Sequence, residues 1–220
     1  MEIPAACPLF AGIDPANIPG LLSCLGAREI NCGRGETILQ EGEAAQEVGL
    51  LLSGRAEVVS TEYDGSRSIL ISVAEGQLFA ESFACAQVEK LPVSVVAALD
   101  CRALLLDCRR LLTTCSRACA FHRQIVFNLL HIVAQKNLAM HRRALITSGR
   151  TTRDKLLSCL HMAARESGSR SVTLPFDRQG LADYLGVDRS GLSAELGKLR
   201  REGVLEFHKN SFRLLRLPEE

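Results

Sequence analysis

Between Arg178 and Glu202 the chain sets basic residues around a pattern with a defined chemical use. Arg178-Gln-Gly-Leu-Ala-Asp-Tyr-Leu185 reads as a short helix whose inner face is Leu181, Ala182 and Leu185. Gly186-Val187 follows as a turn. Glycine takes a left-handed conformation there cheaply, which lets two short helices meet at a steep angle. Asp188 stands where a second helix, 189–202, needs its cap, and Leu192, Leu196 and Leu199 recur at helical spacing as the buried face. In such a helix-turn-helix, the first turns of the second helix meet the DNA major groove. That nominates Arg189, Ser190 and Ser193 as base readers, with Arg189 suited to a bidentate guanine contact. Arg178, Lys198, Arg200, Arg201 and Lys209 fall to phosphate contacts, which position a protein without reading sequence.

A second constellation is Cys115, Cys119 and His122, at i, i+4 and i+7 and so on one face of a helix, with Cys108 just upstream. Thiolate and imidazole on one face could bind a metal, a haem iron or part of an iron–sulfur cluster. Free cysteines more often serve as small core residues, so the cofactor is left unassigned and none is favoured. The nine cysteines contain no C-x-x-C pair, which argues for reduced thiols rather than a disulfide framework. No G-x-x-x-x-G-K-[ST] loop occurs, and His161 and His208 have no placed partner, so the reading is not an enzyme.

The elements that must carry these residues divide the chain. From about residue 28 to 107, glycines at 33, 35, 42, 49, 54, 65 and 76 separate short β-favouring runs. Leu50–Leu52, Ala56–Ser60, Ser68–Val73, Val93–Ala98 and Cys101–Leu106 read as strands, with an Asp64-Gly65 hairpin turn between the second and third. Strands at this spacing imply a sandwich or barrel. From about Thr113 to Ile146 there is neither proline nor glycine, which implies one helix about 50 Å long at 1.5 Å per residue. Val126, Leu129, Val133 and Met140 fall at a and d spacing, with Lys136 in the intervening d place, a stripe that seeks a partner helix. Thr151 with Asp154 then marks the start of a further helix, 153–166. After 202, Gly203–Phe207 and Ser211–Leu215 read as a two-stranded wing.

Charge follows the same division. Residues 1–107 hold 6 basic and 15 acidic residues, a formal −9, and residues 108–220 hold 20 and 10, a formal +10. An acidic half does not approach a phosphate backbone, whereas a basic half does. No apolar run is long enough to span a bilayer and the N-terminus has no secretion signal, so the expected location is the cytoplasm, with no membrane partner.

In order along the chain, Leu9-Phe10, Gly35-Glu-Thr-Ile-Leu-Gln-Glu-Gly42, Leu52-Ser-Gly-Arg-Ala-Glu-Val58, Gly76-Gln-Leu-Phe-Ala-Glu81 and Arg178–Ser190 resemble the Crp/Fnr family of transcription regulators. The resemblance covers almost the full length. It implies an α+β chain: a cyclic-nucleotide-binding-like β jelly roll over 1–112, a dimerisation helix over 113–146 and a winged helix-turn-helix over 147–220. It implies a homodimer on a near-palindromic promoter site, contact with RNA polymerase, and an effector that reorients the DNA-binding domains. Cyclic-nucleotide-responsive members carry a Gly-Glu pair and an Arg-Ser or Arg-Thr in the phosphate-binding segment. Here Glu81 fits the ribose-binding glutamate but follows Ala80, and Leu91 and Pro92 occupy the Arg-Ser places. Leu138 stands about where cyclic-AMP regulators hold the base with hydroxyls. Leucine and proline offer a cyclic phosphate neither cation nor hydroxyl, so the expected effector is not cyclic AMP but another ligand or a redox, haem or metal signal. A cyclic-nucleotide-type module acting on a protein partner is the alternative reading.

Overall fold

The computed structural model describes residues 3–4, 7–61, 63, 67–113 and 120–216. These fall into two units, Met1–Gln135 and Lys136–Glu220.

Among the described residues the first unit is built on eight strands: β1 (Arg28–Cys32), β2 (Thr37–Leu39), β3 (Glu47–Ser53), β4 (Arg55–Thr61), β5 (Arg67–Ala74), β6 (Leu78–Phe79), β7 (Ser94–Ala97) and β8 (Cys101–Asp107). They form two antiparallel sheets, ordered β1-β8-β3-β6 and β2-β7-β4-β5. The Asp64-Gly65 turn lies outside the described residues, but the strands it would join pair antiparallel from Arg55↔Ala74 to Thr61↔Arg67.

Sequence alternation is weak in β3 and β8 because their sheet is buried on both faces. Leu51, Ala103 and Leu105 point into one apolar cluster with Ala56, Val58 and Val95 of the other sheet. Leu50, Leu52, Leu104 and Leu106 point into a second cluster, covered by helices. Those helices are α1 (Ile18–Cys24), α2 (Glu81–Cys85), α3 (Cys108–Leu112) and the start of α4 (Ala120–Thr147). None of the first three was evident in the sequence, being five to seven residues long. Too few turns fit in that length to show a period.

Gly49 faces Phe79 across the β3–β6 pair, and a methyl group there would lie 2.0 Å from the ring. Phe79 is itself buried and cannot yield. Gly49→Ala is therefore expected to cost about 1–3 kcal/mol through overpacking, read as a lower urea midpoint at unchanged slope.

The α4 helix departs from the expected stripe. Ile125, Leu129 and Ile132 are buried in the helix-covered cluster and Val133 packs against it, so Leu129 and Val133 serve the chain's own core. The large apolar residues left exposed on α4 are Phe127, Leu130, Leu138, Met140 and Leu145. At 100° per residue Phe127, Leu130, Ala134, Leu138 and Leu145 share one face, and Met140 lies about 140° round the helix from Phe127. Thr113 is not part of α4: it ends α3, its N–H donating to the Arg109 carbonyl.

The second unit holds α5 (Thr152–Ser167), β9 (Ser171–Thr173), α6 (Arg178–Leu185), α7 (Arg189–Arg201), β10 (Leu205–His208) and β11 (Ser211–Leu214). Thr151 and Asp154 form the expected reciprocal cap of α5. Leu156 and Leu160 meet Leu181, Ala182, Leu185, Leu192, Leu196 and Leu199 in one core. The wing has three strands rather than two, ordered β10-β11-β9, because Ser171–Thr173 adds to the free edge of β11.

Candidate nucleic-acid interface and effector region

The two helices of the motif are locked by local chemistry. Asp177 caps α6 by accepting from the Gly180 N–H at 2.7 Å, and Asp188 caps α7 by accepting from Gly191 at 2.9 Å. Gly186 lies between them at φ +60°, the left-handed conformation that the turn requires. Two cations then hold the C-terminal end of α6 where its carbonyls point outward. Arg143 donates to the Asp183 carbonyl at 3.4 Å and Lys155 to the Gly186 carbonyl at 3.4 Å. Neither was singled out in the sequence. Each is remote in the chain from the carbonyl it serves, and only the fold brings them together.

With three leucines of α7 buried, its other side is open. Arg189, Ser190 and Ser193 are all exposed. The rest of that face is small: Gly191, Ala194 and Gly197 present no bulk, and a methyl added to Gly197 would meet nothing. Arg189 is the one long exposed side chain over residues 189–194. The two hydroxyls are engaged within the helix end. Ser190 donates to the capping Asp188, and Ser193 donates to the Arg189 carbonyl at 3.0 Å. Each keeps its acceptor capacity for a base amino group. That hydrogen bond from Ser190, with those from the Gly191 N–H, holds the Asp188 carboxyl below its usual range.

The residues nominated for phosphate divide into two groups. Arg178 and Lys209 sit beside Arg189: all three line one depression with Asp177, Gln179 and Asn210. Arg178 donates to the Lys209 carbonyl at 3.2 Å and lies 5.3 Å from the Phe207 ring centre, so helix α6 and the wing are joined through it. Burial, and next the positive charge of Arg189, lower the pKa of Arg178. Basic side chains gathered around one depression favour an anion there. Arg200 also lies over that ring, 5.1 Å from the Phe207 centre. Arg201 is exposed. Lys198 is paired with Glu195 at 3.4 Å, and Glu195 also meets Arg153 at 3.5 Å. Arg153 further binds Glu202 bidentately, which ties α5 to the end of α7.

In the first unit, Glu81 opens α2 and is 3% exposed, accepting from the Ser82 hydroxyl at 3.4 Å. Ala80 before it holds φ +59°, a conformation that glycine adopts more easily. Leu91 is 3% exposed and lies in the apolar cluster with Ile38, Leu39, Phe79 and Val93. Pro92 is exposed. A buried leucine with apolar neighbours offers neither cation nor hydroxyl to offset the lost hydration of a phosphate. Leu138 is exposed on α4, in the second unit.

Cys115 and Cys119 lie outside the described residues. His122 is buried, with Nε2 at 3.1 Å from the Leu111 carbonyl. Among the described residues no three histidine, cysteine or acidic side chains converge as a metal site. Cys159 is buried in the second unit, and burial pushes its thiol up to about 11. It should resist iodoacetamide at pH 8 in the folded protein and react fully in denaturant, as read by intact mass.

Residues 29–118 match the cyclic nucleotide-binding domain and residues 154–219 the Crp-like helix-turn-helix domain. The chain belongs to the Crp/Fnr family of transcription regulators. This Crp/Fnr chain is 29% identical, over 120 residues, to a probable transcriptional activator of Rhizobium leguminosarum bv. viciae. That stretch is 47% of this chain and 49% of the relative, so the chain spans about half of that relative's length. It is 24% identical over 229 aligned positions, 98% of each chain, to the CRP-like cAMP-activated global transcriptional regulator of Mycobacterium tuberculosis. Among solved structures, CprK complexed with OCPA is similar in fold, with a TM-score of 0.63 at 16% identity over 92% of this chain and 90% of that one. The α+β architecture expected from the strand motifs, the long helix and the terminal helix pair is thus the family's own. Regulators of this kind bind DNA and are not enzymes. No helix among the described residues is long and apolar enough to cross a membrane.

Proposed function

We propose that this Crp/Fnr regulator acts in the bacterial cytoplasm as a homodimer on a near-palindromic promoter site, there contacting RNA polymerase, and answers a signal other than cyclic AMP. In this reading 1–112 senses, 113–146 dimerises and 147–220 binds DNA. Arg189 reads bases with Ser190 and Ser193, while Arg178, Lys198, Arg200, Arg201 and Lys209 hold phosphates. The observation that carries the choice of signal is Leu91, buried among apolar side chains where a phosphate-binding cation is needed. The Mycobacterium tuberculosis relative is described as cAMP-activated. At 24% identity its effector does not transfer against that chemistry.

The dimer reading is supported by the α4 face of Phe127, Leu130, Ala134, Leu138 and Leu145, apolar and exposed in the single chain. Footprinting on the chain's own upstream DNA tests the reading. The expected result is a protected two-fold site whose occupancy is unchanged by millimolar cyclic AMP. A cyclic AMP-dependent footprint would overturn the signal assignment, and the absence of any footprint would overturn the DNA-binding role.

A further inference from the structure

The cysteines brought together among the described residues are not those grouped by sequence spacing. Cys85 ends α2 and Cys108 opens α3, and their sulfur atoms are 3.9 Å apart. Cys108 is 3% exposed and Cys85 is half-buried, so Cys85 is the more exposed of the two.

Both are held at strategic points. The α2 helix begins at the buried Glu81 of the effector region. The α3 helix is pinned by Asp107, which accepts from the Arg109 N–H at 2.8 Å, and by the Cys108 N–H donating to the Gln46 carbonyl at 2.9 Å. The Leu111 carbonyl of α3 in turn meets His122 in the first turn of α4. The thiol pair therefore sits between the effector-region helix and the long helix.

The hydrogen bond from Cys108 lowers the Cys85 thiol, while that same contact and burial raise Cys108. Cys85, the more exposed of the two and the one this contact lowers, is the sulfur placed to react first.

We propose that Cys85 and Cys108 form an oxidisable dithiol, which hydrogen peroxide converts to a disulfide that ties α2 to α3 and alters the start of α4. The Cys85 thiolate attacks one peroxide oxygen, the O–O bond breaks, and Cys85 sulfenic acid forms as the released hydroxide takes a proton to become water. The Cys108 sulfur then attacks the Cys85 sulfur. An S–S bond forms, the S–O bond breaks, and the departing hydroxide takes the Cys108 proton as a second water. Two thiols lose two electrons and two protons, and one peroxide becomes two waters. A dithiol reductant reverses the change. Closing from 3.9 Å to a bond of about 2.05 Å displaces both helix ends, which is what makes the event transmissible.

This inference rests on the regulator reading only for its effect on DNA. The test uses the full chain treated with one equivalent of hydrogen peroxide, alkylated, and cleaved with trypsin without reductant. The expected product joins peptides 68–90 and 103–109, each holding one cysteine, and weighs two hydrogens less than their sum. It disappears with dithiothreitol and is absent from Cys85→Ser. In Cys108→Ala the Cys85 sulfenic acid persists and is trapped by dimedone. Hydrogen exchange over 122–132 changes on oxidation, and affinity for the footprinted site shifts by about fivefold or more. Free Cys85 after excess peroxide would overturn the proposal, as would its pairing with a different cysteine, or a linked pair with unchanged exchange over 122–132. A protein that forms the bond and changes its exchange, yet binds no DNA in either state, would retain the dithiol and sink the regulator reading.

Discussion

Arg189→Ala is expected to lose about 1–3 kcal/mol of operator binding, roughly five- to 150-fold, while non-cognate DNA binding weakens far less. The reason lies in the make-up of α7. Over residues 189–194 its exposed positions are serine, glycine and alanine apart from this one guanidinium at the first helical position, so few other groups at that end can reach a base edge. The loss should concentrate at one base pair in each half-site, seen as equal affinity for all four bases there in a gel-shift series. Lys198→Ala provides the contrast. Its ammonium lies at the far end of the helix and is already shared with Glu195. Its removal should weaken all sequences alike and reduce the slope of log affinity against log salt by about one. If the two variants lose affinity in the same sequence-blind way, the helix does not lie in the groove as assigned.

The second large effect is expected from α4. Phe127→Glu with Leu130→Glu places two carboxylates on the exposed apolar face and should yield a monomer by sedimentation or native mass spectrometry. Because one half-site then binds without its linked twin, operator affinity should fall by about 100-fold or more. Phe127 is 63% and Leu130 66% exposed, so neither substitution disturbs the chain's own core. Met140→Glu is the control that discriminates. Met140 belongs to the stripe that sequence spacing selects, but lies about 140° round the helix from Phe127 and about 80° from Leu130. A dimer that survives Glu at 127 and 130 but separates with Glu at 140 would restore the spacing-based register and remove the packing-based one.

What could be read directly from the chain was what neighbours within a turn or two decide. The Thr151–Asp154 cap, Gly186 at the motif's turn and the Asp188 cap are interactions across one to four residues, and each stands where spacing put it. The inner leucines of α6 and α7 were equally legible, since each of these helices has a single apolar face. The face of α4 was not. Residues 125–133 are apolar on two sides, so periodicity offered two stripes, and only packing against the β-sheet assigned Leu129 inward and Leu130 outward.

The same limit explains the other differences. Ser171–Thr173 becomes a strand because the edge of β11 is there to pair with it, not because three residues carry a signal. Gly49 is required by a ring 30 positions away. The thiol pair of Cys85 and Cys108 has no spacing rule at all, since no local interaction ties residues 23 positions apart. Local hydrogen bonds and periodicity are written in the order of residues. Which distant side chains come into contact is set by how whole sheets and helices share buried surface, and that was decided only when the chain folded.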